Sequence, residues 1–161
     1  MYSRIQMHKD DARFHRFLWK GPSSEPVLYE MTGVVFGDSP SPCQAQYVRN
    51  LTGEEYGTEE TAFRVKRFFY MDDYSDSHDS EEDAIRIAIG LMNALKEGNF
   101  NLTKWSSNSA NVLNVVGGVN LTERIIGEEE AKVLGLRWNT KKDTLGFTLK
   151  NFSEQNTAFT E

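Results

Sequence analysis

The stretch "RFFYMDDYSDS", residues 67–77, decides how the rest of the chain is read. Phe68, Phe69, Tyr70 and Met71 run straight into two adjacent aspartates, Asp72 and Asp73, and the sequence beyond is polar and acidic. A strand-like apolar segment that ends on paired carboxylates combines two demands that conflict, because like charges repel and ionised groups resist burial. One resolution is an ordinary surface turn, where Asp is at home. The other is a site built to hold strong positive charge. A calcium loop of the EF-hand kind is excluded: counted from Asp72 or Asp76, the alternating ligands and the glycine at the sixth position are missing. The acidic run that continues to Glu82 is expected for the most part to face water.

Length and composition limit what such a site can belong to. The 161 residues suffice for one domain with a sizeable core, and 39% hydrophobic with 26% charged residues is a globular balance. No apolar stretch nears the roughly 20 residues of a membrane span. The N-terminus, "MYSRIQMHKDDARFHRF", has no apolar core of a secretory signal. The single cysteine, Cys43, fits a reducing, intracellular and cytoplasmic setting. Asn-x-Ser/Thr triplets at Asn50, Asn101, Asn120 and Asn151 are therefore read as chance. A net charge of −6 makes the chain a poor autonomous binder of nucleic acid, since that affinity comes from neutralising phosphates.

Outward from the aspartates, the elements alternate irregularly. Phe14, Phe17, Leu18 and Trp19 suit a strand, "KGPSSEP" a turn, and "VLYEMTGVVFG" a second strand antiparallel to the first. In "SPSPCQAQYVRNL", Ser41 as N-cap and Pro42 as first helical residue open a helix with Ala45, Val48 and Leu51 on one face. "TGEEYGTEET" separates it from a short helix around "AFRVKRF". Ser80 and Asp83 form a capping box for a helix with Ile85, Ala88, Leu91, Met92 and Leu95 buried and Gly98 beyond its end. "NFNLTKW" reads as a strand, "SSNSANVLNVVGG" as a loop and short strand, and "AKVLGLRW" as a further strand. "KKDTLGFTLKNFSEQNTAFTE" gives one more strand and a polar tail. The expected class is α+β, an antiparallel sheet with helices packed on one face.

Spacing adds a second reading of the pair. "FYMDD" between an apolar strand and a second short strand resembles the catalytic hairpin of reverse transcriptases. "VVFG" with "SPSP" and the helix after it, residues 34–50, resembles that family's nucleotide-site motif. "GNFNLTKW", residues 98–105, and "VLGLRWN", residues 133–139, resemble the next two motifs, the last being the primer grip. In detail "RFLW", "AQYVRN", "FYMDD", "LTKWSSNS" and "LGLRWN" are similar to the Pao/BEL group of long-terminal-repeat retrotransposons, over about residues 1–150.

The resemblance implies a polymerase palm over residues 1–140 and the start of a connection segment, partly disordered, over 141–161. It implies nucleotidyl transfer from a dNTP to a primer 3′-hydroxyl, with two Mg²⁺ ions clamping the attacking and leaving oxygens. Asp72 is then the first metal ligand and Asp73 the second, with Tyr70 and Met71 beside the primer terminus. Phe36, Gly37, Ser41 and Pro42 line the nucleotide site, and Tyr2 is the aromatic gate that screens the sugar 2′ position. Lys104 donates a proton to the departing pyrophosphate or offsets its charge. Gly135 and its neighbours Leu134 and Trp138 either grip the primer or pack a core. Template-primer, dNTP and the rest of a Pol polyprotein (fingers, thumb, RNase H and integrase) are the implied partners, in a cytoplasmic virus-like particle.

One part of the pattern is missing. Met1-Tyr2 matches the end of the family's first motif, whose aspartate falls four residues earlier. Asp10 and Asp11 follow the motif and do not replace it. Two-metal chemistry draws carboxylates from two strands, and only one pair is present. Two classes of function stay open: a polymerase fragment, or a catalytically inactive retroelement relic or interaction module.

Overall fold

Pro40 and Pro42 open helix α2, Ser41–Tyr56, in a computed structural model that describes residues 1–22, 25–119 and 130–147. Pro40 is the N-cap, so the helix starts one residue before the expected boundary, and Pro42 sits in the first turn, where a missing N–H costs nothing. Ser41 does not cap, because its hydroxyl donates instead to the Val35 carbonyl at 2.6 Å. The helix continues through "TGEEY", which was expected to break it. Gly53 lets α2 approach helix α3, Glu59–Arg67, so closely that a Cβ there would lie 3.0 Å from Val65. Thr58 caps α3, and its charges follow the helix dipole, with Glu59 and Glu60 first and Arg64, Lys66 and Arg67 last. Of the expected face of α2, Ala45 is buried and Val48 partly so. Leu51 is exposed, and Arg49 and Thr52 are buried in its stead.

Helix α4, Glu81–Glu97, has the expected ends: the Ser80 hydroxyl accepts from the Asp83 N–H at 3.1 Å, and Gly98 is the C-cap. Its buried set is wider than the expected stripe. Ile87 and Ala94 join Ala88, Leu91, Met92 and Leu95, while Ile85 is half-buried, because α4 is covered on two sides. One side meets Ile5, Val34, Ala45, Val65 and Phe100; the other meets Val112 and Val116. The second set belongs to helix α5, Ala110–Val119, where a loop and short strand were expected. Valines favour strands when only their own preference counts. Here Val112 and Val116, four residues apart, form one helical face that α4 buries.

The strands form three separate antiparallel sheets and not the one expected. Strand β1, Arg16–Trp19, pairs with β2, Val27–Glu30, and all eight residues are exposed. Strands β3, Phe69–Tyr70, and β4, Asp73–Tyr74, make the second sheet. β5, Glu130–Val133, β6, Leu136–Asn139, and β7, Thr144–Gly146, make the third, whose last strand lies beyond the expected boundary at residue 140. Among the described residues the core is therefore helix on helix within an α+β chain, with the sheets at its margin. A short four-residue helix, α1, Lys9–Ala12, precedes β1.

Two further strand expectations are corrected by backbone geometry. "AKVLGLRW" is a hairpin, since Leu134 (φ 49°) and Gly135 (φ 86°) supply the two left-handed residues of a tight turn. "NFNLTKW" is irregular, because Asn99 (φ 63°) and Lys104 (φ 57°) interrupt it. The polar tail expected after β7, along with Asn120 and Asn151, lies outside the described residues. No helix among the described residues is long and apolar enough to cross a membrane.

Candidate functional site

The β3–β4 hairpin is as short as a hairpin can be. Tyr70 pairs with Asp73, which leaves Met71 and Asp72 as a two-residue turn. Met71 has φ 55° while Asp72 is not left-handed, the pattern of a type II′ turn, whose first central position normally holds glycine. Methionine there carries about 1–2 kcal/mol of local strain. Asp72 thus sits at the tip and Asp73 in the ladder, and both are exposed. Among the described residues neither carboxylate accepts a hydrogen bond or an ion pair, so both are free to meet a ligand.

Helix α2 fastens the strained turn. Arg49 Nη1 donates to the Met71 carbonyl at 2.5 Å, and Gln46 Nε2 donates to Met71 Sδ at 3.3 Å. The Arg49 guanidinium also lies 4.9 Å from the centre of the Phe69 ring. The base of the hairpin is held by the Ser75 N–H to the Phe68 carbonyl and by Phe69 packed on Tyr74, ring centres 5.1 Å apart.

Below the tip, the acidic run departs from its expected exposure at Asp76, whose side chain is 3% exposed. It accepts from the Arg64 guanidinium, from the Tyr74 hydroxyl at 2.8 Å and from the Ser77 N–H at 2.8 Å, and His78 Nε2 stands 3.5 Å away. Burial, then the hydrogen bond to Asp76 and that carboxylate's charge, push the Tyr74 hydroxyl far above its ordinary range. Arg49, Gln46 and Asp76 are the residues here that sequence reading missed. Each has a partner 12 to 25 residues away, Met71 for Gln46 and Arg49 and Arg64 for Asp76, and no local pattern marks those contacts.

The residues expected on the nucleotide side gather at the start of α2. The Tyr2 ring meets Phe36 edge-on, with centres 5.2 Å apart. Phe36 is 82% exposed. Gly37 has φ 107° and open space where a Cβ would stand, so its conformation and not crowding calls for glycine. Ser41, through its bond to Val35, ties this segment to the helix, with Pro42 beside it. Ser41 and Arg49 stand eight residues apart, about 12 Å along the helix axis. Helix α2 therefore joins the Phe36–Gly37 surface to the aspartate hairpin at a fixed separation.

The remaining candidates are less closely joined. Lys104 is exposed in a left-handed conformation. Its neighbour Trp105 touches the hairpin, edge-on to Tyr74 with centres 6.4 Å apart. Gly135 and the exposed Leu134 form the tip of their own hairpin, and Trp138 Nε1 donates to Asp143 at 2.9 Å within it. Asp10 and Asp11 lie in α1, exposed.

The carboxylates present do not fit a pair of Mg²⁺ ions. Two-ion sites need ligands that converge from separate strands, and Asp72 and Asp73 come from one hairpin. Among the described residues no three His, Cys, Asp or Glu side chains gather to hold a metal ion. No protein-family model, curated protein or solved structure matches the chain.

Proposed function

We propose that the chain is part of the palm of a Pao/BEL-type retrotransposon reverse transcriptase and carries one half of its nucleotidyl-transfer site. The observation that carries this reading is the "YMDD" hairpin, with a strained Met71 at its turn, fastened to the helix that opens within "SPSP". Strain of this kind persists where the surroundings impose it and concentrates at functional positions. The order and spacing of the other motifs support the same assignment.

In this reading a primer 3′-hydroxyl attacks the α-phosphorus of a dNTP, and pyrophosphate leaves. In a completed site Asp72 would be the leading ligand for Mg²⁺ and Asp73 its support, and the ions would supply charge compensation for both oxygens. Tyr70 and Met71 face the primer end, Tyr2, Phe36, Gly37, Ser41 and Pro42 face the nucleotide, and Lys104 faces the pyrophosphate. Template-primer and the other parts of a Pol polyprotein complete the assembly, in a cytoplasmic virus-like particle. The half-site does not transfer a nucleotide alone.

A second reading, an inactive relic kept as an interaction module, is favoured by the net charge of −6. Primer extension on a primed RNA template separates the two. The chain alone extends no better than its Asp72→Asn variant. Joined ahead of Met1 to a segment bearing an Asp-Ile strand and basic fingers, it extends, and Asp72→Asn abolishes this. No extension by the completed chain overturns the polymerase reading. Extension by the chain alone, lost in Asp72→Asn, overturns the half-site.

A further inference from the structure

Arg49 lies mid-helix in α2 and is 3% exposed. A buried guanidinium ordinarily takes a carboxylate partner, because an unpaired charge away from water is costly. Among the described residues Arg49 has no such partner. Its N–H groups go to uncharged oxygens: Nη1 to the Met71 carbonyl at 2.5 Å, Nε and Nη2 to the Asn50 amide oxygen at 3.2 and 2.9 Å. Its flat face covers Phe69, in the strand that leads into the turn.

The carbonyl it holds belongs to the peptide between Met71 and Asp72. Fixing that peptide fixes the direction in which Asp72 leaves the turn. Gln46, three residues earlier on the same helix face, reaches the Met71 side chain, so the strained residue is gripped at both backbone and side chain.

We propose that Arg49 is a positioning residue that locks the Met71–Asp72 peptide. The lock holds the turn against its own strain and fixes where Asp72 stands. That this serves nucleotidyl transfer rests on the polymerase reading above; the grip on the turn does not.

The test uses the full chain with isotope-labelled arginine and methionine. In the parent, a scalar coupling across the hydrogen bond links the Arg49 guanidinium nitrogen to the Met71 carbonyl carbon. The Arg49 guanidinium protons exchange at least ten-fold more slowly than those of exposed arginines. Arg49→Leu shifts the Met71 methyl signal alone among the five methionines. It also raises at least three-fold the Mn²⁺ concentration that broadens that signal, and Arg49→Lys recovers part of both effects. An uncoupled, freely exchanging guanidinium in the parent overturns the proposal, as does an Arg49→Leu variant with the parent's Met71 signal and Mn²⁺ midpoint. If Arg49→Leu does not fold, the parent's coupling and exchange decide. A parent in which Mn²⁺ broadens nothing overturns the polymerase reading and the purpose given to Arg49, while coupling and methyl shift still report the lock.

Discussion

At Met71 the backbone takes a conformation that glycine adopts freely and methionine does not. Met71→Gly removes the strain but adds disorder to the unfolded chain, worth about 0.4–1 kcal/mol, and loses the contact with Gln46. It should leave stability within about 0.5 kcal/mol of the parent, whereas β-branched Met71→Thr should lose about 2 kcal/mol. Urea unfolding measures both, and equal losses would show that the turn is not under strain. Tyr74 gives a pH signature at the same scale. Its hydroxyl is held protonated in the folded chain above the ordinary value near 10, so its contribution is complete below about pH 10. It declines as pH rises beyond that, by at most about 1.4 kcal/mol per unit, reduced by partial solvent contact. Unfolding between pH 9 and 11 should show a shallower decline in Tyr74→Phe than in the parent. The turn at Asp72 and Asp73 was legible in the sequence because a turn is a local matter. The burial of Asp76 was not, since it depends on Arg64, 12 residues away in another helix.

Among the elements, two glycines inside helices separate intrinsic preference from packing. Helix propensity alone favours alanine over glycine by about 1 kcal/mol at either place. At Gly53 the new methyl would meet the fully buried Val65 at 3.0–3.1 Å, and overpacking of that kind costs about 1–3 kcal/mol. At Gly90 a Cβ would meet, among the described residues, Thr61 Oγ1 at 3.3 Å. Gly53→Ala should therefore destabilise by about 1 kcal/mol and Gly90→Ala stabilise by about 0.5 kcal/mol, as read from thermal unfolding. The same contrast explains which elements were legible. The cap at Ser80 and the periodic face of α4 are written in neighbouring residues. Helix α5 is not, because its valines prefer strands until α4 covers them. "TGEEY" looked like a break because the partner that uses Gly53, Val65, lies in the next helix.

For the molecule as a whole, the sequence made the α+β class legible and hid the arrangement. Strand patterns in "RFLW" and "VLYE" announce a hairpin, but nothing in them says that both faces stay exposed and that, among the described residues, no sheet continues beyond the pair. The core instead forms where α4 lies between α2 and α5, a matter of contacts far apart in the chain. What the architecture achieves for the candidate site is spacing: one helix, α2, ties the Phe36–Gly37 surface at its start to the aspartate tip at its middle. The central claim is that this tip presents Asp72 and Asp73 to a divalent cation. The most direct measurement is a Mn²⁺ titration of the methionine-methyl-labelled chain. The predicted result is broadening of the Met71 methyl at lower Mn²⁺ than any of the other four, lost in Asp72→Asn. Broadening that spares Met71, or that persists unchanged in Asp72→Asn, would contradict it.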